Sequence, residues 1–179
     1  MLALIDREKA LALETRRKLF EEIRRFPGVH FRELRRRTGL AIGSLQYHLD
    51  VLCKTRLVRA EKRGKFIRYF PLIGEPSREE RETLSLLREE NVRKIVLYLA
   101  DKKHATNKQL ARFLNLSPST VSFHITKLIS AGLVSKQRKG KKSYFVLTNP
   151  ALVKDVIITY RKSFLDKLVD SFVETWEEI

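Results

Sequence analysis

The chain has 179 residues, and its 37 lysine and arginine residues against 21 aspartate and glutamate residues give a formal net charge of +16, which favours a polyanionic partner such as nucleic acid. The single cysteine, Cys53, excludes an internal disulfide and leaves no thiolate pair for a metal site, so we expect no cofactor. No apolar run approaches the roughly 20 residues of a membrane-spanning helix, and charges occur too early in the N-terminal segment for a secretory signal, so we expect a cytoplasmic protein without membrane contact.

Residues 39–65 are repeated at residues 115–141 without a gap. His124, for example, follows His48 by 76 positions. Both copies are basic, and each ends in a lysine- and arginine-rich run centred on a glycine. An internal repeat of one basic unit indicates two copies of a nucleic-acid-binding module.

The first copy predicts three helices followed by a β-hairpin. Its first helix ends at Pro27, and Gly39 stands where a left-handed residue would end the second helix. Gly64 permits the tight tip of the hairpin. The predicted elements are helices over residues 14–25, 31–38 and 41–55 and strands over residues 57–60 and 67–70.

The second copy predicts the same parts. Its third helix has a clear start, with Ser117 as N-cap and Pro118 as first helical residue. The aromatic pair Tyr69-Phe70 recurs at Tyr144-Phe145 with an offset of only 75, so the first hairpin is predicted to be one residue longer. The predicted elements are helices over residues 92–100, 107–114 and 117–130 and strands over residues 133–134 and 144–147.

A short linker over residues 72–76 is expected to join a first domain, residues 1–71, to a second domain, residues 77–149. After the linker, Ser77 and Glu80 have the spacing of a capping box, which predicts the start of another helix there. The connection between the domains is therefore expected to be short and stiff.

The last segment, residues 150–179, carries slightly more acidic than basic residues. Its apolar residues recur at spacings of three and four after Asn149 as N-cap, which predicts one long amphipathic helix. Such a helix needs a partner surface, and we expect a homodimer interface at Ile157, Phe164, Leu168, Phe172 and Trp176. An effector pocket lined by Tyr160, Phe164, Phe172 and Trp176 is the alternative use of these side chains.

The third helix of each copy is the candidate recognition element. In a helix-turn-helix, the outward-facing residues near the start of the second helix of the motif meet base edges in the major groove. Glutamine suits adenine, serine and threonine can donate or accept, and isoleucine or an aromatic ring can touch a thymine methyl group. The candidates are Ile42, Gly43, Ser44, Gln46 and Tyr47 in the first copy and Pro118, Ser119, Thr120, Ser122 and Phe123 in the second. Because the two sets differ, we expect them to read different bases; the alternative is that they are only solvent-exposed.

Basic side chains at the hairpins are expected to hold DNA phosphates or to enter the minor groove. The candidates are Lys62, Arg63, Lys65 and Arg68 in the first copy and Lys136, Arg138, Lys139, Lys141 and Lys142 in the second, together with Lys127 in the third helix. A solvated hairpin is the alternative, although a bound polyanion would relieve the repulsion between these clustered charges.

His48 and His124 occupy equivalent positions in the third helix of each copy, at the border of the apolar face that is expected to be buried. We expect each to be a structural residue that also touches a phosphate, the alternative being a boundary residue satisfied within the protein. No carboxylate or cysteine stands at ligand spacing from them, so no metal site is expected.

Two segments, RELRRRTGLAIGSLQYHLDVL and QLARFLNLSPSTVSFHITKLISAGLV, each followed by a basic hairpin, resemble the winged helix-turn-helix regulators of the ArsR-like superfamily. The resemblance covers nearly all of residues 12–148, which contain two successive copies of the pattern. The tandem arrangement resembles archaeal promoter-binding regulators. It implies a mainly α fold with small β wings (α+β), in which two tandem winged helix-turn-helix domains precede a long C-terminal helix. Many members dimerise through terminal helices. The cysteine-rich motifs of the metal-sensing members do not occur in this sequence.

These features predict a sequence-specific regulator of transcription that binds double-stranded DNA as a homodimer, represses or activates, and contacts the transcription machinery. A non-specific architectural DNA-binding protein and a tandem winged-helix scaffold for protein contacts are the alternatives. An enzyme is not expected, because the sequence has no glycine-rich phosphate loop, paired carboxylates, metal cluster or nucleophile elbow.

Overall fold

The computed structural model describes the backbone of residues 2–164 and 167–177 and the side chains of residues 6–164, 168–171, 173 and 174. The chain forms two compact units, Met1–Arg81 and Glu82–Ile179. None of the described helices combines the length and the apolar character that crossing a bilayer requires.

The first unit combines helices with a small antiparallel sheet of strand order β1-β3-β2. Its elements are α1 (Leu2–Ala12), α2 (Glu14–Arg25), β1 (Val29–His30), α3 (Phe31–Thr38), α4 (Ile42–Lys54), β2 (Val58–Arg63) and β3 (Phe66–Pro71). The three predicted helices and both hairpin strands are confirmed, and the strands are longer than expected. We call residues 14–71 the first module and residues 58–71, which form its hairpin, wing 1.

The core of the first unit joins its helices into one helix-turn-helix. Leu19 of α2, Leu34 of α3, and Leu45 and Leu52 of α4 are completely buried, and burying a leucine side chain contributes about 1.5–3 kcal/mol. Gly39 ends α3 at a φ of 68°, a left-handed conformation that glycine adopts without strain. Leu45, Leu49 and Leu52 turn one face of α4 into the core, and the opposite face stays exposed.

The second unit repeats this arrangement and adds helices after it. Its elements are α6 (Glu90–Lys102), α7 (Asn107–Leu114), α8 (Pro118–Ser130), β4 (Val134–Lys139), β5 (Lys142–Leu147), α9 (Pro150–Thr159), a 3₁₀ turn (Arg161–Ser163) and α10 (Lys167–Glu177), and α5 (Arg78–Leu87) contains the boundary between the two units. We call residues 90–147 the second module and residues 134–147, which form its hairpin, wing 2.

Side-chain caps fix the starts of the helices in the second unit. Ser117 accepts a hydrogen bond from the backbone N–H of Thr120, and Asn149 accepts one from the N–H of Leu152. Both predicted N-caps are therefore confirmed. Thr106 and Gln109 form a reciprocal capping box at the start of α7.

The predicted capping box after the first wing is also present. The N–H of Glu80 donates to Ser77 Oγ at 3.1 Å, and the N–H of Ser77 donates to Glu80 Oε2 at 2.6 Å. In the same turn, Arg81 forms salt bridges to Glu61 of β2 at 2.9 Å and to Glu75 at 2.8 Å. These contacts attach the first turn of α5 to wing 1.

The two wings have the same length, so the prediction of a longer first wing is wrong. The ladder of wing 1 runs from Val58↔Pro71 to Arg63↔Phe66, and that of wing 2 runs from Val134↔Leu147 to Lys139↔Lys142, which keeps the offset of 76 throughout. The offset of 75 between the aromatic pairs does not reflect a difference in hairpin length. The two hairpins are equally long, and the aromatic pair lies one position earlier in wing 2 than in wing 1. Tyr69 and Phe145 thus occupy the same place, and they pair with Val29 and Ala105 respectively.

The C-terminal segment is not one long helix, which corrects that prediction. The chain breaks between α9 and α10, where the carbonyl of Ser163 accepts a hydrogen bond from Arg88 Nη1 at 3.2 Å and Arg93 lies 5.7 Å from the ring centroid of Phe164. The break lets both α9 and α10 contact α6. A straight helix could not follow that path, since an α-helix rises 1.5 Å per residue along one axis.

Candidate nucleic-acid interface

The recognition helix of the first module, α4, presents most of its predicted residues to solvent. Ile42, Gly43, Gln46 and Tyr47 are exposed and Ser44 is half-buried, because Leu45, Leu49 and Leu52 turn the opposite face into the core. Gln46 is held along the helix, where its Nε2 donates to Asp50 Oδ1 at 2.9 Å. The exposed face therefore carries one oriented amide beside two large apolar side chains.

The recognition helix of the second module, α8, presents the equivalent face. Pro118, Ser119, Ser122 and Phe123 are exposed and Thr120 is half-buried, while Val121, Ile125 and Leu128 are buried. The N-cap hydroxyl of Ser117 contacts the hydroxyls of Ser119 and Thr120 at 2.9 and 2.8 Å. This face is rich in serine and threonine hydroxyl groups, whereas the face of α4 has the hydroxyls of Ser44 and Tyr47 and the amide of Gln46.

Asn107, the first residue of α7, holds the start of α8 in place. Its Nδ2 donates to the carbonyl of Pro118 at 3.2 Å and to Ser122 Oγ at 2.8 Å. Sequence reasoning missed this residue because the bond joins positions far apart in the chain. The adjacent N-cap Thr106 marks the start of α7 but gives no sign that the next side chain reaches α8.

Each recognition helix carries an exposed aromatic ring next to a histidine. Tyr47 is 59% exposed and Phe123 is 68% exposed, and each lies edge-on to the adjacent histidine, at centroid distances of 5.3 Å to His48 and 5.5 Å to His124. The rings point outward because the histidine behind each of them faces the protein.

The two histidines differ in burial. His48 is buried, and burial together with the nearby charge of Arg16 lowers its pKa. Little of the His48 side chain is exposed, and its phosphate contact stays a prediction. His124 is half-buried, so its phosphate contact stays a prediction.

Wing 1 combines exposed lysines with a salt-bridge network. Lys62 and Lys65 are exposed, whereas Arg63 pairs with Glu61 at 2.8 Å. Arg68 was selected as a hairpin cation, but its side chain does not extend into solvent. It is 4% exposed, and its Nη1 donates to the carbonyl of Gly28 at 2.9 Å. This hydrogen bond connects Arg68 to the turn before β1 and stabilises that turn.

Wing 1 also exposes two apolar side chains that the sequence analysis did not select. Phe66 and Ile67, at the start of β3, are 45% and 51% exposed. The ring of His30 stacks on Phe66 at a centroid distance of 5.1 Å. The start of β3 is therefore apolar, with lysines on the opposing strand and at the tip.

All charged side chains of wing 2 are basic. Its candidates Lys136, Arg138, Lys139, Lys141 and Lys142 are all exposed, and residues 134–147 contain no acidic side chain. Among the described residues, none of these five cations forms a salt bridge; Arg138 Nε donates to the carbonyl of Gly140 at 3.3 Å. Wing 2 is therefore a site of concentrated positive charge.

Lys127 of α8 is half-buried and lies about one helical turn after the exposed Phe123. Its ammonium group pairs with the carboxylate of Glu89, just before α6. This pairing compensates the charge of Lys127 in the free protein, and its contact with DNA stays a prediction.

The residues predicted for a dimer interface do not share one exposed surface. Ile157 and Phe164 are buried within the second unit, so they are corrected from interface to core residues, since their side chains already have partners in the same chain. Leu168 is half-buried. The side chains of Phe172 and Trp176 lie outside the described residues.

The described residues contain no group of three or more histidine, cysteine, aspartate or glutamate side chains that could hold a metal ion. Cys53 is half-buried, and burial, with a smaller effect from Asp50, raises the pKa of its thiol. The raised pKa lowers the fraction of reactive thiolate at neutral pH.

Family comparisons place both modules among helix-turn-helix domains. Residues 13–84 match a family described as an N-terminal HTH domain. Residues 88–135 match a family described as winged helix-turn-helix DNA-binding. The chain therefore contains two helix-turn-helix domains, and the mainly helical fold with small β wings is confirmed.

Two known proteins are similar in sequence, and both are named as HTH-type transcriptional regulators without an assigned role. MJ1398 from Methanocaldococcus jannaschii is 31% identical over 150 residues, which cover 83% of this chain and 37% of that protein. YdfF from Bacillus subtilis strain 168 is 35% identical over 65 residues, which cover 36% of this chain and 29% of that protein. This chain thus spans well under half the length of either relative.

Among solved structures, reduced HlyU from Vibrio cholerae is similar to part of the chain. It has 22% sequence identity and a TM-score of 0.42, and the match covers 48% of this chain and 90% of HlyU. These matches do not name the ArsR-like superfamily, so that resemblance stays a prediction.

Proposed function

We propose that this protein is a sequence-specific regulator of transcription that binds double-stranded DNA through α4, α8 and the two wings. One observation carries the proposal: the same unit occurs twice, and each copy has an exposed recognition face next to a cationic hairpin. The family match of the second module to DNA-binding winged helices supports it.

The dimensions of the recognition helices suit the major groove. Each has 13 residues, so each is about 20 Å long, and the major groove is about 12 Å wide and admits one α-helix. The exposed side chains lie at the start of the helix, the end that a helix-turn-helix inserts most deeply. Gln46 and Ser122 are the polar side chains best placed to bind base edges, while Tyr47 and Phe123 offer apolar surface to thymine methyl groups.

The wings supply attraction to the DNA backbone. The five cations of wing 2 lack acidic partners within the hairpin, and each phosphate contact that they make lowers the logarithm of the binding constant by about 0.9 per tenfold rise in salt. Binding should therefore weaken steeply as salt increases. Wing 1 contributes less of this effect, because Glu61 pairs with Arg63.

A homodimer remains part of the proposal. Two chains would bring four recognition helices to the DNA, and a twofold axis would give a site with inverted symmetry and half-sites separated by whole helical turns. Size-exclusion chromatography with light scattering measures the molecular mass directly. The mass of a single chain at micromolar protein would contradict the dimer.

A second candidate function concerns wing 1 alone. The exposed Phe66 and Ile67 give it an apolar surface that phosphate binding does not need. This observation favours a scaffold in which wing 1 contacts a protein, such as a component of the transcription machinery, while the second module binds DNA.

The test is selection of bound duplexes from a random pool at about 150 mM salt, where non-specific binding is weak. The proposal expects an enriched motif with inverted repeats and a discrete footprint on a natural promoter. Tight binding at low salt without any enriched motif would contradict sequence specificity and indicate an architectural protein.

A further inference from the structure

We propose that Asn107 holds the hydroxyl group of Ser122 so that its hydrogen is donated to DNA, and that the second module therefore discriminates against cytosine at one position. This inference rests on the proposed function and adds to it the class of base edge that α8 reads. A serine hydroxyl has one hydrogen to donate and two lone pairs with which to accept. The contact with Asn107 occupies one lone pair and leaves the hydrogen to find an acceptor elsewhere.

The geometry is a bridge across the first turn of α8. Asn107 Nδ2 donates to two acceptors that are four residues apart, the carbonyl of Pro118 and the Oγ of Ser122. The amide therefore lies against the side of α8 that adjoins α7, while Ser122 remains exposed.

The chemistry of the partners sets the direction of both bonds. A backbone carbonyl can only accept, so the group of Asn107 that faces Pro118 is the amino group and not the amide oxygen. The same amino group, with its second hydrogen, faces Ser122. The amide oxygen is buried and has no hydrogen-bond partner among the described residues, so it does not accept the hydroxyl hydrogen of Ser122.

The hydroxyl hydrogen of Ser122 has no acceptor in the described part of the chain. A serine in a helix commonly donates to the carbonyl four residues earlier, which here is that of Pro118. That carbonyl already accepts from Asn107 and also lies in position for the helical N–H of Ser122. The hydrogen is therefore available to a group outside the protein.

A fixed donor distinguishes the bases by their major-groove edges. Guanine presents N7 and O6, adenine presents N7, and thymine presents O4, all of which accept, whereas cytosine presents only its amino group, which donates. The amino group of cytosine can bond only to the remaining lone pair of Ser122, which leaves the hydroxyl hydrogen without an acceptor. An unsatisfied donor in the interface lowers affinity by about tenfold. We therefore expect cytosine to be depleted at the position that Ser122 reads.

The first module has no equivalent bridge. The offset of 76 places Phe31 at the position of Asn107 and Gln46 at the position of Ser122. The amino group of Gln46 donates to Asp50, which leaves its carbonyl oxygen as an acceptor and its second amide hydrogen as a donor. Discrimination against cytosine by a single donor is thus a property of the second module.

The experiment measures the affinity of the full chain for four duplexes that differ only at the base pair read by Ser122, by fluorescence anisotropy. The base pair read by Ser122 is identified as the position at which the Ser122→Ala variant loses its base preference. The wild type should bind the duplex with cytosine about tenfold more weakly than the best duplex. In Asn107→Ala the hydroxyl is free to rotate, and this ratio should approach one.

Asn107→Asp gives the sharper result. A carboxylate can only accept, so the Ser122 hydroxyl would turn its hydrogen to the carboxylate and offer its lone pairs to DNA, and cytosine should become favoured. The change is isosteric, and a negative charge in the first turn of α7 is favourable to that helix. Thermal unfolding followed by circular dichroism checks that each variant is folded.

The position read by Gln46 is the internal control, since its preference should not change in the Asn107 variants. Equal losses of affinity on all four duplexes would show a purely structural role for Asn107 and overturn this inference, as would a wild-type preference for cytosine. Absence of base preference at every position in the wild type would overturn the proposed function itself. A clear motif whose base ratios do not respond to Asn107→Ala would overturn only the inference.

Discussion

The two modules share a backbone but differ in the chemistry of the surfaces that face outward. Three pairs of left-handed residues occur at positions 76 apart, and the hairpin ladders have the same register. The matched left-handed pairs are Gly39 and Asn115, Arg56 and Gly132, and Gly64 and Gly140. The comparison shows that the turns which define the fold have been kept in both copies, while recognition and charge have diverged.

The divergence is clearest in the wings. Wing 1 pairs Arg63 with Glu61 and exposes Phe66 and Ile67, whereas wing 2 exposes only basic and other polar side chains near its tip. The first hairpin can therefore support apolar contacts, and the second is suited to phosphates.

The largest expected effect concerns these charges. Replacing Lys139, Lys141 and Lys142 together with alanine should reduce the slope of log binding constant against log salt by about 2–3 units, because each cation that contacts a phosphate contributes about 0.9. The loss should be similar on specific and random DNA, since phosphate contacts carry no sequence information. Anisotropy titrations at several salt concentrations give the slope.

The matched control replaces Lys62, Arg63 and Lys65 of wing 1 with alanine. Its slope should change less, because Glu61 already neutralises Arg63 in the free protein. Equal changes of slope for the two triple variants would contradict the assignment of wing 2 as the main phosphate-binding hairpin.

The second prediction compares the starts of the recognition helices. Ser117 caps α8, whereas Ala41 at the equivalent position of α4 makes no side-chain hydrogen bond. Ser117→Ala should lower the free energy of unfolding of the second unit by about 1 kcal/mol, and Ala41→Ser should raise that of the first unit by a similar amount. Denaturant unfolding of the full chain measures both, and a loss of stability in Ala41→Ser would contradict the comparison.

The third prediction uses the buried His48. Burial, with the charge of Arg16, lowers the pKa of His48 in the folded protein below its usual value of about 6.5. Above pH 6.5 both states are neutral, and as the pH falls below it the unfolded state takes up the proton first, so the free energy of unfolding decreases until the folded pKa is reached. His48→Gln should reduce this pH dependence in urea unfolding between pH 7 and about 5. An unchanged pH dependence would contradict a lowered pKa of His48 in the folded protein.

The smallest expected effect is at the left-handed turn after each recognition helix. Arg56 has a φ of 54°, whereas its counterpart Gly132 has a φ of 73°. A side chain in this conformation costs about 1 kcal/mol, so Arg56→Gly should stabilise the first unit by up to that amount and Gly132→Arg should destabilise the second. Melting temperatures of the two variants relative to the wild type check the signs, and two shifts of the same sign would contradict the argument.

The regular elements of both modules could be predicted because local chemistry determines them. Gly39 ends a helix by its conformation, and Ser117 begins one by capping it. The C-terminal segment was predicted as one helix because its apolar period is the same whether the helix continues or is folded back at Ser163. Contacts with distant residues distinguish the two cases, such as the hydrogen bond from Arg88, 75 positions earlier, and the approach of Arg93 to Phe164.

The recognition faces were predictable from helical periodicity, but the orientation of individual polar groups was not. Arg68 belongs to a basic run in sequence, yet it is buried and donates to the carbonyl of Gly28, 40 positions earlier in the chain. Asn107 reaches Ser122 only through the turn between α7 and α8. Such contacts between distant positions decide which candidate side chains are available to DNA.

The most direct test of the central claim, that both modules read DNA and read different bases, is parallel selection from a random duplex pool with wild type, Gln46→Ala and Ser122→Ala. The account predicts one enriched motif in which each variant loses preference at its own position, by about 1–3 kcal/mol. A motif unchanged in both variants, or the same loss in both, would contradict separate reading by the two modules.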